Sequence, residues 1–115
     1  MGQNRNKLIE LFIGNISNSI IHNILEKAIK AEKDYIADKY RKELITSLEI
    51  AKRYRDKINP INASLNNKDI SYIREKTIRR VKAELLIRIS KGYENINLNE
   101  IEKNVDEALK KTDII

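Results

Sequence analysis

Residues 36–58 read IADKYRKELITSLEIAKRYRDKI, and their spacing decides the fold. Ile36, Tyr40, Leu44, Leu48, Ala51, Tyr54 and Ile58 recur every three or four residues, which places them on one face of an α-helix. Neither Gly nor Pro interrupts the run until Asn59-Pro60, where the residue before proline leaves the α region and ends the helix. Upstream, Ile21, Ile24, Leu25, Ala28, Ile29, Ala31 and Tyr35 form a second register of the same period. The two registers shift near residues 33–38. The absence of a turn residue there favours one long helix over about 18–58, with a helix pair meeting near Lys33-Asp34 as the alternative.

The flanks extend this all-α pattern. Leu8, Ile9, Leu11, Phe12 and Ile13 mark a short helix, about 5–13, with Gly14 as its stop and Ser17 or Asn18 as the next cap. Residues 59–69 are polar and read as a connection. A helix over about 70–91 follows, capped by Asp69 or Asn67 and closed by Gly92 at the C′ position. Ile70, Ile78, Val81, Leu85 and Ile89 share one side of it, while Ala83, Leu86 and Ile87 occupy others. That all-round apolarity predicts a central helix or an oligomer interface. The last helix, about 98–111, begins with an Asn97 cap, Glu100 three residues later, and an Ile96–Ile101 staple. The expectation is a single 1–115 domain, a four- to five-helix bundle built on a long antiparallel hairpin of 18–58 against 70–91.

Composition narrows the functional classes. The chain has no cysteine, which excludes zinc ribbons, disulfides and thiol chemistry. Its three glycines are isolated, so no phosphate-cradling loop is present. His22 is the sole histidine, with Glu26 one turn away, and two residues are too few for a metal or catalytic set. Carboxylates on the helices alternate with Lys and Arg and read as solvated faces. The expectation is a non-catalytic protein without cofactor, metal or evident small-molecule substrate. Consecutive apolar residues never approach ~18, and the N-terminus lacks a leader pattern, so a cytoplasmic protein with no membrane segment is expected.

Charge is segregated. Residues 1–38 hold five basic and five acidic side chains, residues 39–93 hold 15 and 6, and residues 94–115 hold 3 and 6. The blocks are therefore neutral, +9 and −3, summing to the +6 of the chain. A block of +9 attracts a polyanion, and nucleic acid is the commonest one. Lys52, Arg53, Arg55 and Lys57 close one predicted helix, and Arg79, Arg80 and Lys82 sit within another. These seven are the predicted phosphate contacts. Lys39, Lys42, Arg53 and Lys57 fall on one side of the first helix, and Lys76, Arg80 and Lys91 on one side of the second, so antiparallel packing of the two would form a basic groove. The last helix carries Glu100, Glu102, Asp106 and Glu107 and would repel phosphates, which rejects a helix-turn-helix reader there. The alternative is a helical assembly module, homo-oligomeric through 70–91 or bound to acidic protein surfaces.

Residues 50–58, Ile-Ala-Lys-Arg-Tyr-Arg-Asp-Lys-Ile, resemble the end of the helical arm in the archaeal ribonuclease P subunit that carries a zinc ribbon. That ribbon needs four cysteines, which this chain lacks, and no function or residue role is transferred.

Overall fold

The computed structural model describes residues 5–29, 34–59 and 64–115. Among them the chain is all-α: α1 (Arg5–Ile29), α2 (Asp34–Ile58), α3 (Asn67–Ser90), then a 3₁₀ turn (Leu98–Glu100) running into α4 (Ile101–Lys111). Two expectations are corrected at once. The first helix does not stop at Gly14, and residues 18–58 are not the favoured single helix but follow the alternative of a helix pair, the end of α1 and all of α2. Their junction, residues 30–33, lies outside the described residues, as do residues 60–63 of the next connection.

Gly14 fails as a stop because burial outweighs propensity. A glycine inside a helix costs about 1 kcal/mol relative to alanine. The helix that continues through it buries Leu8, Ile9, Phe12, Ile13, Ile16, Ile20, Ile21, Ile24 and Leu25, and each such side chain contributes about 1.5–3 kcal/mol. These residues cover most of the circumference of α1. The central element is therefore α1, so of the two expectations for the helix at 70–91 the central position does not hold. In length and apolarity α1 matches a membrane-crossing helix, although no consecutive apolar run announces it, and most of it is covered by the other three helices.

Cross-helix contacts set the directions. His22 meets Glu43 and Glu26 meets Arg41, so α1 and α2 form an antiparallel hairpin. Arg5 meets Asp69 and Glu10 meets Lys76, so α3 runs parallel to α1 on its other flank. Asn23 donates to Asn104, Arg74 grips Asp106, and Arg55 reaches the Asp113 carbonyl, which lays α4 antiparallel across α1 with α2 and α3 on either side. The hairpin of the structure is thus α1–α2, while α2 and α3 hardly touch.

α3 buries only a narrow stripe, Ile73, Thr77, Val81 and Leu85, spaced four apart. Its N-cap is Asn66, one residue before the candidate Asn67 and three before the candidate Asp69, with Oδ1 accepting from the Asp69 amide at 2.8 Å. Its end is as predicted: Gly92 sits at φ 97°, its N–H donates to the Ile89 carbonyl, and the Tyr93 N–H donates to that of Arg88. This is the Schellman pattern, which needs a left-handed residue at C′. α4 closes the same way, with Asp113 in the left-handed position at φ 58° and the Ile114 amide reaching back to Leu109.

Two predictions follow from this packing. A Cβ placed on Gly14 meets nothing closer than 3.8 Å, the Nη2 of Arg80. Gly14→Ala is therefore expected to raise stability by about 0.5–1 kcal/mol in urea unfolding, through helix propensity and unfolded-state entropy. A loss would show that α1 and α3 approach more closely than these contacts allow.

The second concerns acid. Arg74 binds both oxygens of Asp106, at 2.7 and 3.2 Å, and that bond holds the carboxyl below its ordinary range. Hydrogen bonds from Lys76, then Tyr72, lower Glu10 likewise. Both groups have folded values below their unfolded ones, so their stabilisation is present above the ordinary carboxylate range, about 4, and is lost as pH falls through it. The urea midpoint is expected to drop between about pH 5 and pH 3. The combined Glu10→Gln, Asp106→Asn variant should be less stable at neutral pH and show a shallower drop.

Candidate nucleic-acid interface

With α4 lying over one side of the α2–α1–α3 layer, no helix among the described residues covers the opposite side. Ile20 and Asn23 mark the α1 face turned toward α4, with Ile16 on the same side by helical spacing, which puts Leu11, Asn15, Asn18 and His22 along the open face. The α2 edge of that face is fixed by Glu43, which meets His22 Nε2 at 2.8 Å. The α3 edge is fixed by Arg80, Glu84, Ile87 and Arg88, which line a cleft together with Asn18 and His22.

The seven predicted phosphate contacts are divided by this arrangement. Arg79 and Arg80 are exposed at the α3 edge, and Arg53 and Lys57 are exposed on α2, with the Lys57 ammonium 5.7 Å from the Tyr54 ring centre. Lys52 and Lys82 are exposed but belong to other rows. Lys52 continues the Leu44–Leu48 row that faces α4, and Lys82 lies two turns beyond Arg74, which pairs with α4. Arg55 is a correction. It is 6% exposed, its Nε donates to the Asp113 carbonyl at 2.9 Å and its Nη1 to Asn59 Oδ1 at 2.7 Å. Its role is to tie the end of α2 to the end of α4, and no phosphate reaches it.

The groove itself also differs from expectation. α1 separates the two basic rows, so the axes of α2 and α3 stand up to about 16–20 Å apart, two helix spacings instead of one. Because α2 and α3 are antiparallel, Lys39 lies near the level of Lys91, and Arg53 and Lys57 near that of Tyr72 and Lys76. From Lys39 to Lys57 is a rise of about 27 Å along the helix. The cations mark a long shallow track, not a tight trough.

Electrostatics along the track depend on which carboxylates are already engaged. Glu10 is bound by Lys76 Nζ at 2.8 Å and by the Tyr72 hydroxyl, Glu43 by His22, and Glu84 by Arg88 Nε at 3.1 Å. Among the described residues Arg53, Lys57, Arg79, Arg80 and Lys91 make no ion pair, although the charge of Arg80 also helps to hold the Glu10 carboxyl down. Arg74 and Arg88, whose positions within an apolar arc the sequence left unexplained, are both tied up, Arg88 by Glu84 and by the Tyr93 hydroxyl at 3.3 Å.

The tyrosines are mostly structural. Tyr40 and Tyr54 pack against the core as expected, and the Tyr40 and Tyr93 hydroxyls meet at 3.4 Å. Burial pushes the Tyr40 phenol up, while hydrogen bonds from Tyr40 and then Arg88 pull Tyr93 down. Only Tyr72 among these is exposed, beside Lys76. His22 is paired to Glu43 across the hairpin, not to Glu26, which turns to Arg41. No group of three or more metal-ligating side chains occurs among the described residues.

Comparison with protein-family models, with curated proteins and with solved structures finds no match to this chain.

Proposed function

We propose that this protein is a non-catalytic helical binder of nucleic acid that holds the phosphate backbone along the open face of the α2–α1–α3 layer. The observation that carries the reading is the asymmetry of pairing. Glu10, Glu43 and Glu84 are engaged within the chain, while Arg53, Lys57, Arg79, Arg80 and Lys91 remain exposed and unpaired. Cations outside any ion pair release counterions when a polyanion docks, which is the dominant source of such affinity. The track presents charges without a helix fitted to a groove, so binding is backbone-directed and weakly sequence-dependent.

A second reading rests on Leu86 and Ile87, which are 45% and 47% exposed on α3. An aliphatic patch beside basic residues suits a helical protein partner or a second copy. Sedimentation at several concentrations, with and without nucleic acid, separates the two readings.

The direct test is fluorescence anisotropy of labelled single- and double-stranded DNA and RNA across a salt series. The combined Arg79→Ala, Arg80→Ala variant is expected to bind at least about tenfold more weakly, and to reduce the slope of log affinity against log salt by about two. Arg55→Ala, by contrast, should lower thermal stability and leave the salt slope unchanged where the protein remains folded. Unchanged affinity and slope in the double variant would remove the proposal.

A further inference from the structure

At the middle of the open face lies a cleft of about 240 Å³ between α1 and α3, with Ser17, Asn18, Ile21 and His22 on one wall and Arg80, Ala83, Glu84, Ile87 and Arg88 on the other. Two of the residues that line it, Ser17 and His22, each carry a buried polar atom, Oγ and Nδ1, with no hydrogen-bond partner among the described residues. Ser17 is only 1% exposed. Buried polar groups in folded proteins are nearly always satisfied, so two in one cleft mark a place where something else supplies the partner. The third such atom, Thr77 Oγ1, belongs to the stripe buried against α1 and does not line this cleft.

The two atoms ask for different chemistry. Glu43 can only accept, so the His22 Nε2 facing it carries the proton, and in the neutral ring Nδ1 is then a bare acceptor. It calls for a donor such as a hydroxyl. Ser17 donates, Asn18 offers an amide, and Arg80 presents an exposed guanidinium with no ion pair. Glu84 in the same cleft is engaged by Arg88, so the local balance is set by Arg80. Ile21, Ala83 and Ile87 complete an apolar wall.

We infer that this cleft seats one ribonucleotide unit: its phosphate on Arg80 and Ser17, and its ribose hydroxyl donating to His22 Nδ1. This deepens the nucleic-acid reading by naming the ligand as RNA, because a 2′-hydroxyl is the group deoxyribose lacks. In this seating the base lies outside the cleft and is not read.

The test uses small probes, so that it stands apart from the polymer result. Amide and side-chain NMR of the full chain is recorded during titration with adenosine monophosphate, its 2′-deoxy analogue and inorganic phosphate. The ribonucleotide is expected to shift Ser17, Asn18, His22 and Arg80, with the deoxy analogue several-fold weaker and phosphate weaker still. Ser17→Ala should cut ribonucleotide affinity about tenfold, and His22→Phe should bring the ribo and deoxy forms to parity, each checked for an intact helical spectrum. Equal shifts by ribonucleotide and deoxyribonucleotide in the native chain would overturn the ribose assignment, and no cleft shift with any probe would overturn the site. Polymer binding that survives either result would leave the backbone track standing, whereas cleft shifts without polymer binding would remove the track and keep the seat.

Discussion

The rest of the structure depends on covering α1. A 25-residue helix with buried side chains on most of its circumference cannot be exposed to water, and it cannot cover itself. α2, α3 and α4 each supply one strip of that cover. α2 folds back antiparallel, α3 runs parallel on the other flank, and the short α4 closes the side between them. Three helices of these widths cover three sides of a fourth, and the remaining strip of α1 is the one bearing Asn15, Asn18 and His22. Of the four α1 residues on that strip three are polar and only Leu11 is apolar, as fits the side no other helix covers.

This logic also explains what was legible in the sequence. The all-α class, the end of α2 before Asn59-Pro60, the last helix and the Gly92 stop were legible because they rest on local signals: period, proline, staple and left-handed glycine. The continuity of α1 through Gly14 was not, since a single glycine reads as punctuation and only tertiary burial overrules it. The centrality of α1 was concealed for a similar reason. α3 carries Leu86, Ile87 and Ile89 around its circumference and looks like the buried helix, yet these three stay at the surface while Ile73, Thr77, Val81 and Leu85 go inside. Periodicity tells which residues share a face, not which face wins a partner.

The candidate site divides along the same line. Segregation of charge was countable, and it pointed to Arg53, Lys57, Arg79 and Arg80, all of which are exposed. Arg55 was indistinguishable from its neighbours, because its partners are a carbonyl more than fifty residues away and an asparagine just past the helix. Neither contact has a sequence signature. The cleft at Ser17 and His22 was equally hidden, since it arises only when α3 lies parallel to α1, and nothing in either helix alone announces that pairing.

Charge and architecture then agree in a way that neither forces on the other. α4 carries Glu102, Asp106 and Glu107, and its docking places them on one side of the layer, where Asp106 is spent on Arg74. The opposite side keeps Arg53, Lys57, Arg79 and Arg80 outside any ion pair, while Glu10, Glu43 and Glu84 are engaged in local pairs. Reversing that arrangement, with α4 docked on the face bearing Asn18 and His22, would set its carboxylates beside Arg79 and Arg80 and neutralise the basic track internally. It would also bury the amide of Asn18 and leave Ile16 and Ile20 in water, at a cost of several kcal/mol for the two isoleucines alone. Hydrophobic burial thus decides where the acidic helix goes, and the polarised surface is the consequence of that decision. A basic face obtained this way needs no extra stabilisation of its own, which is why it can hold unpaired arginines at the middle of a folded domain's surface.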